Sequence, residues 1–263
     1  MTDGQPLIAG LRPGLRVLVT AGAAGIGRAI ADAFVAHGAR LTVCDIDGAA
    51  LAGFREAHPG HVAVRADVGV EADVDALFQA LRTELGGLDV LVNNAGIAGP
   101  TAAVEAIDAE EWRRTVDVNL NGQFYCLRHA VPLLKETAGA IVNIASVAGR
   151  LGYAYRLPYA ATKWAIVGMT QSLSLELGPF GVRVNAILPG VVEGPRMDGV
   201  IRARAEELGI GFEEMKERYL EKVALGRMVT AEDVANMALF LCSPLGANIS
   251  GQPLSVCGHV VSL

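Results

Sequence analysis

Val17-Leu18-Val19-Thr20-Ala21-Gly22-Ala23-Ala24-Gly25-Ile26-Gly27-Arg28-Ala29-Ile30 passes from one kind of periodicity to another through a glycine-rich turn. Residues 17–20 form an apolar, partly β-branched run, whereas Ile26, Ala29, Ile30, Ala33 and Phe34 recur at helical spacing. This reads as strand, loop, helix. A backbone that must turn sharply, approach a ligand closely and pack against a sheet needs glycine, here Gly22, Gly25 and Gly27. The free N–H groups that open the following helix then favour a pyrophosphate.

The same alternation runs outward along the chain. Leu41-Thr42-Val43-Cys44 precedes a predicted helix through Ala49–Ala57, and a strand at His61–Arg65 precedes one through Val70–Leu85. Val90-Leu91-Val92 leads into a helical stretch ending near Lys135, and Ala140–Ile144 into a helix at Tyr159–Leu177. Arg183–Leu188 leads into a further helical segment, and Leu254–Cys257 reads as a last strand. Strands without polar alternation, joined by helices, predict a doubly wound, Rossmann-type α/β fold: a parallel sheet with right-handed crossovers and helices on both faces. No Pro/Ser/Gly-rich linker interrupts it, so one dinucleotide-binding domain over residues 1–263 is expected. The departure from strict alternation is Arg196 to Val223, a charged helical insertion that reads either as a solvated face or as a cover over the substrate.

Composition narrows the function classes. Of 263 residues, 52% are hydrophobic and 19% charged, enough to bury a large core. A formal net charge of −6 offers no basic surface to a nucleic-acid backbone. No apolar stretch reaches the roughly 18 residues of a membrane helix, and Met1 to Gly14, with Asp3, lacks the apolar core of a signal peptide. A cytoplasmic protein without a membrane partner is the expectation. Cys44, Cys126, Cys242 and Cys257 are too scattered for a disulfide framework, and His58 and His61 flank a Pro59-Gly60 turn with no further ligands, so no metal is expected.

Two features carry chemistry. Asp45 closes the second strand, where a carboxylate accepts both hydroxyls of an adenosine ribose and repels a 2′-phosphate; Ala24 supplies no compensating cation, so NAD is preferred over NADP. Tyr159-Ala160-Ala161-Thr162-Lys163 then places a phenol and an ammonium on one helix face, where the ammonium lowers the tyrosine pKa towards a value useful for proton transfer. Ser146, at the carboxyl edge of the strand before it, can hold a substrate oxygen beside that phenol.

With these pieces in order, the chain resembles the short-chain dehydrogenase/reductase family, in its compact single-domain branch, over nearly its full length. The matching residues are Gly25-Ile26-Gly27, Asp67-Val68, Asn93-Asn94-Ala95-Gly96, Asn119, Ser146, Tyr159 with Lys163, and Asn185 through Pro189-Gly190. The resemblance implies an NAD(H)-dependent alcohol dehydrogenase or ketone reductase in which Tyr159 is the general acid/base, Ser146 orients the substrate oxygen, and Lys163 also holds the nicotinamide ribose. It implies that Asn119 holds a water linking Lys163 to solvent and that Asp67 and Val68 border the adenine. Asn94, with Ala95 and Gly96, lies beside the cofactor, and Val192, past Pro189-Gly190, meets the carboxamide through its backbone. Three positions depart from the family pattern: Ala21 in place of the first glycine of the turn, Gly194 where a threonine is common, and Cys257-Gly258-His259 in place of aspartate-glycine, which bears on subunit contacts. The resemblance also favours a homotetramer, in keeping with Trp164, Ile166, Val167, Met169, Leu173 and Leu175 spread around more than one helix face.

For the substrate, a secondary alcohol or its ketone, residues 149–158 and the start of the insertion offer Tyr153, Tyr155, Arg156, Arg196 and Met197. Arg150 and Arg156 read first as surface cations. Two accounts of Arg156 stay open: an anchor for an anionic group, with Arg196 closing over it, or a partner of Glu193 beside a neutral pocket. Two other functions share the framework. One is a protein that binds NAD as a sensor or scaffold without turnover, which has no need of the complete Ser146, Tyr159 and Lys163 set. The other is an epimerase or dehydratase using NAD transiently, whose larger relatives carry a more extended C-terminal substrate domain.

Overall fold

A computed structural model describes residues 10–263; residues 1–9, most of the N-terminal segment weighed above, lie outside the described residues. In chain order the strands and helices are β1 (Arg16–Thr20), α1 (Gly25–Ala36), β2 (Arg40–Asp45), α2 (Gly48–Ala57), β3 (Val62–Arg65), α3 (Glu71–Leu85) and β4 (Val90–Asn93). There follow α4 (Ala109–Val116), α5 (Gly122–Thr137), β5 (Ala140–Ile144), α6 (Leu157–Leu177) and β6 (Arg183–Pro189). The chain closes with α7 (Pro195–Leu208), α8 (Phe212–Leu220), α9 (Ala231–Cys242) and β7 (Pro253–Val256).

All seven strands join one parallel sheet in the order β3-β2-β1-β4-β5-β6-β7. Successive side chains of a strand point to opposite faces. Val17 and Val19 of β1 therefore enter the core shared with Ile30 and Phe34 of α1 and Leu239 of α9, whereas Leu18 enters the core shared with Phe78 of α3 and Leu134 of α5. Both faces are covered, which is why the strands lack polar alternation. The order reverses between β1 and β4, and at such a switch point the loops past the strand ends part to leave a crevice.

Two segments differ from the sequence-based expectation. The helical stretch ending near Lys135 is two helices joined by a π-helical turn at Asp117–Asn121; the extra residue in that turn leaves hydrophobic periodicity almost unchanged. The insertion is likewise two helices, α7 and α8. Its charged positions face solvent, but Ile201, Ala205, Met215 and Tyr219 are buried against Val147, Val191, Val223 and Val260. The segment after α8 is tied to the C-terminal residues by an antiparallel bridge between Val223 and Val260, so Cys257-Gly258-His259 secures the insertion within the chain. No helix among the described residues is long and apolar enough to cross a membrane.

Candidate active site

At the carboxyl ends of β1, β4, β5 and β6 lies a cleft of about 560 Å³, running from Asp45 past Ala95 and Ser146 to Arg156 and Tyr219. Its first wall is the β1–α1 turn. Gly27 is obligatory there, because a Cβ would lie 2.0 Å from the Ala21 carbonyl oxygen and 2.4 Å from Asn94 Nδ2. Gly22 is equally confined, against Val43 and the Val19 carbonyl, and both glycines face the sheet rather than the cleft. Asn94 Nδ2 donates to the carbonyls of Thr20 (3.0 Å) and Ala21 (3.1 Å), while Thr20 Oγ1 accepts from Asn94 N and Ala95 N, each at 2.9 Å. The turn is thus braced from β4.

Ala21 has φ 49°, in the left-handed region that costs a non-glycine residue about 1–2 kcal/mol. The family's glycine at this place has a physical reason, and the alanine is strained. Ala21→Gly relieves that strain and loses about 0.5–1 kcal/mol to the flexibility of an unfolded glycine, so a net gain of about 0.5–1 kcal/mol is expected. An unchanged or lower urea midpoint contradicts this.

Asp45 reaches the mouth of the same turn: its carboxylate accepts from Ala23 N at 3.3 Å and Asp47 N at 3.1 Å, and among the described residues no cation pairs with it. Asp67 lines the cleft further along, fixed by Gly69 N and by an ion pair to Arg114 at 2.6 Å, next to buried Val68. At the far end, β6 leads through Pro189 and Gly190 into a bridge between Val192 and Val229. That bridge uses Glu193 N and the Val191 carbonyl, so the N–H and C=O of Val192 have no backbone partner among the described residues and lie beside the cleft. Gly194 has φ 128°, a backbone setting that side chains resist, so a threonine there would be strained. A braced glycine turn at a helix N-terminus, an unpaired carboxylate at the end of β2 and free peptide groups at Val192 together fit a dinucleotide.

Ser146, Tyr159 and Lys163 meet where β5 gives way to α6. Ser146 Oγ accepts from Ala148 N at 3.1 Å, which fixes the hydroxyl and leaves its proton to donate. Lys163 is 3% exposed and its Nζ donates to the Ile144 carbonyl at 2.9 Å. Burial pulls the Lys163 ammonium down to about 8, against the opposing influence of Tyr159. Burial alone would raise the Tyr159 phenol, but Lys163, Arg196, a hydrogen bond with Ser146 and Arg156 outweigh it, and its pKa falls below the ordinary value. Asn119 is fully buried in the π-helical turn, where Nδ2 donates to the Ile97 carbonyl and Thr162 Oγ1 and Oδ1 accepts from Ile97 N. Beside it, a Cβ on Gly96 would lie 3.2 Å from Asn119 Oδ1 and 3.5 Å from Lys163 Nζ, so the missing side chain leaves a gap between the two.

Among the expected substrate residues, Tyr153, Arg156, Arg196 and Met197 line the cleft and Tyr155 does not. The left-handed φ of 63° at Tyr155 swings its ring outward, under the guanidinium of Arg204 at 4.4 Å. Arg150 is exposed and donates to Ser255 Oγ, but Arg156 is no surface cation: it is 3% exposed. Nor does it pair with Glu193 or any other carboxylate among the described residues. One terminal nitrogen donates to the Ala98 carbonyl at 2.8 Å, the other makes a long contact of 3.4 Å to Thr101 Oγ1, and Nε is buried without a partner among the described residues. Its guanidinium carbon lies 5.2 Å from the Tyr159 ring centre and 5.4 Å from that of Tyr153. Tyr219 is a cleft residue the sequence reading missed. Its signal was there, an apolar stripe of Phe212, Met215 and Tyr219 inside the charged run of α8.

Comparison with known proteins places the chain. The family model described as enoyl-(acyl carrier protein) reductase matches residues 21–258. The chain belongs to the short-chain dehydrogenase/reductase family. It is 38% identical over 244 residues to galactitol 2-dehydrogenase of Agrobacterium fabrum, covering 92% of this chain and 95% of that one. It is 35% identical over 239 residues to the NAD(+)-dependent 2-dehydro-3-deoxy-L-rhamnonate dehydrogenase of a Sphingomonas species, covering 90% and 91%. Among solved structures, a variant of actinorhodin polyketide ketoreductase in complex with NADPH superposes with a TM-score of 0.88 at 35% identity, covering 93% of this chain and 96% of that one. This short-chain dehydrogenase/reductase is accordingly an oxidoreductase with a cleft of the kind that takes a nicotinamide cofactor.

Proposed function

We propose that the protein interconverts a secondary alcohol and its ketone with NAD(H), on a substrate carrying an anionic group. The observation that carries the reaction is the Tyr159 phenol held below its ordinary pKa by Lys163, beside the fixed Ser146 hydroxyl. A nicotinamide cofactor supplies the hydride chemistry when bound. In the oxidising direction Tyr159 takes the hydroxyl proton of the alcohol while Ser146 donates a hydrogen bond to that oxygen. In the reducing direction Tyr159 returns the proton. Asn119 and Lys163 flank the gap at Gly96, a place for a water that carries the proton onward to solvent. On this reading Asp45 holds the adenosine ribose, Asp67 and Val68 border the adenine, and the Val192 peptide meets the carboxamide.

Arg156 supports the anionic group. A buried guanidinium without a carboxylate is costly to maintain, and stacking on two rings offsets only part of that cost. Lys163 and Arg196 add positive charge at the same end, against Glu193 at the exposed rim. The relative named for a rhamnonate acts on a sugar acid, whereas the galactitol relative is named for a neutral polyol. A panel of acidic secondary alcohols and their neutral amides, followed through the absorbance of the reduced cofactor, tests the whole reading. Preference for the acids, lost selectively in Arg156→Met, is the expected outcome. Equal use of acids and amides by the wild type removes the anion, and no net cofactor reduction with any alcohol removes the reaction.

A cytoplasmic homotetramer completes the proposal. The cysteines found are all unpaired, as a reducing compartment permits. Trp164 and Leu175 of α6 and Phe124 of α5 are exposed apolar side chains suited to packing on neighbouring subunits. Light scattering is expected to give four times the chain mass, and a monomer at micromolar concentration rejects this.

A further inference from the structure

We propose that the paired hydroxyls of Tyr153 and Tyr219 complete Arg156 into one oxyanion subsite, which takes the carboxylate or sulfonate of a short hydroxy acid. The inference rests on the anionic substrate proposed above and assigns the groups that hold it. Tyr153 precedes α6 and Tyr219 ends the buried face of α8, yet their hydroxyl oxygens are 2.7 Å apart and both side chains line the cleft.

A proton inventory shows what this pair can do. Two phenols carry two O–H groups and one is consumed between them. The second has no acceptor among the described residues. Burial and the neighbouring Tyr219 phenol push Tyr153 far above its ordinary pKa, so its hydroxyl keeps its proton. Arg156, with its guanidinium against the Tyr153 ring, adds a buried Nε–H with no partner and a terminal nitrogen that makes only the long contact to Thr101. Unused donors from two elements thus gather at one end of the cleft, and no acceptor among the described residues answers them. An oxyanion with several lone pairs does.

The same geometry sets the length of the substrate. The guanidinium that stacks on Tyr153 is also 5.2 Å from the ring of Tyr159, the group that addresses the reacting oxygen. The anion and the carbinol must therefore be separated by a few bonds, which describes a short hydroxy acid rather than a long acyl chain. A ligand held jointly by Arg156 and Tyr219 also links the wall before α6 to the insertion, so binding is expected to slow amide exchange in α8.

The test uses the full-length enzyme with NAD(+), lactate and β-hydroxybutyrate each paired with its amide, and the variants Tyr219→Phe, Tyr153→Phe and Arg156→Met. Each Phe variant is expected to raise KM for the turned-over acid about tenfold, the loss of one hydrogen bond to a charged group. The amide is expected to shift much less, and kcat to stay within about twofold for the acid. Arg150→Met, at an exposed arginine outside the cleft, serves as control. Equal shifts for acid and amide in both Phe variants overturn the subsite while leaving the anionic reading standing, provided Arg156→Met still discriminates. If Arg156→Met does not discriminate, or no panel acid turns over or inhibits the wild type, the anionic reading falls and the subsite with it. Should Tyr219→Phe melt at a markedly lower temperature, the Tyr153→Phe result decides.

Discussion

Tyr159→Phe is expected to lower kcat by about 10²–10⁴-fold, the range that a positioned acid or base contributes, while melting temperature and cofactor binding stay near wild type. The ring volume is kept, so the stacking of Arg156 on it and the start of α6 survive. Only the proton donor is lost. The pH profile of the wild type carries the same signature. Alcohol oxidation needs the phenolate, so kcat/KM is expected to rise with pH and level off above the Tyr159 pKa. Ketone reduction needs the neutral phenol and falls over the same interval. Because Lys163, Arg196, Ser146 and Arg156 outweigh burial, the midpoint is expected below the ordinary tyrosine value of 10. Arg156→Met, which removes one positive neighbour, moves it upward. A Tyr159→Phe enzyme within tenfold of wild-type kcat overturns the assignment of Tyr159.

The enzyme is expected to prefer NAD(+) over NADP(+) by about 100-fold in kcat/KM, and Asp45→Ala to close most of that gap. A 2′-phosphate beside the carboxylate meets like charge, an arrangement that costs several kcal/mol when desolvated and less when screened. Asp45 is half-buried, so the lower end of that range applies, about two powers of ten. The carboxylate is held in place by Ala23 N and Asp47 N and makes no ion pair among the described residues. Arg65, its register partner on β3, donates to the Ile46 carbonyl and forms no ion pair with Asp45. Stopped-flow or steady-state comparison of the two cofactors with one alcohol decides the matter. Comparable kcat/KM values in the wild type would sink the role given to Asp45.

The sheet was readable because its physics is local. Each strand is buried on both faces and each crossover is a helix, so composition switches at nearly every boundary. The Tyr159 and Lys163 pair was readable for the same reason, since one turn of helix joins them. What escaped depends on distant partners or on backbone geometry. The place of Arg156 in the interior follows from the left-handed turn at Tyr155, which sends the tyrosine out and the arginine in, and neither residue type announces such a turn. Tyr219 meets Tyr153 only because α8 packs on α7 and against Val147 and Val191, just past β5 and β6, a contact between residues far apart in the chain. The π-helical turn that seats Asn119 adds a single residue, too little for periodicity to register. Gly194 was readable as an absent hydroxyl, but not as a backbone setting that excludes one.

Lys163 donates its hydrogen bond to a carbonyl of β5, not to a side chain. The acceptor that orients the ammonium is thus written into the main chain and survives almost any replacement of Ile144. The residues proposed to hold the rest of the substrate, in contrast, sit on the segment before α6 and on α7 and α8, and use side chains throughout. Mutational drift in those segments is expected to retune which molecule is accepted while the Lys163 contact to β5 stays, Arg156 being the exception because its charge also lowers the Tyr159 pKa. For anyone reshaping this enzyme, libraries at positions 153, 197 and 219 are expected to explore new substrates with Tyr159 left as it is, whereas a change at position 156 also resets its acid/base strength.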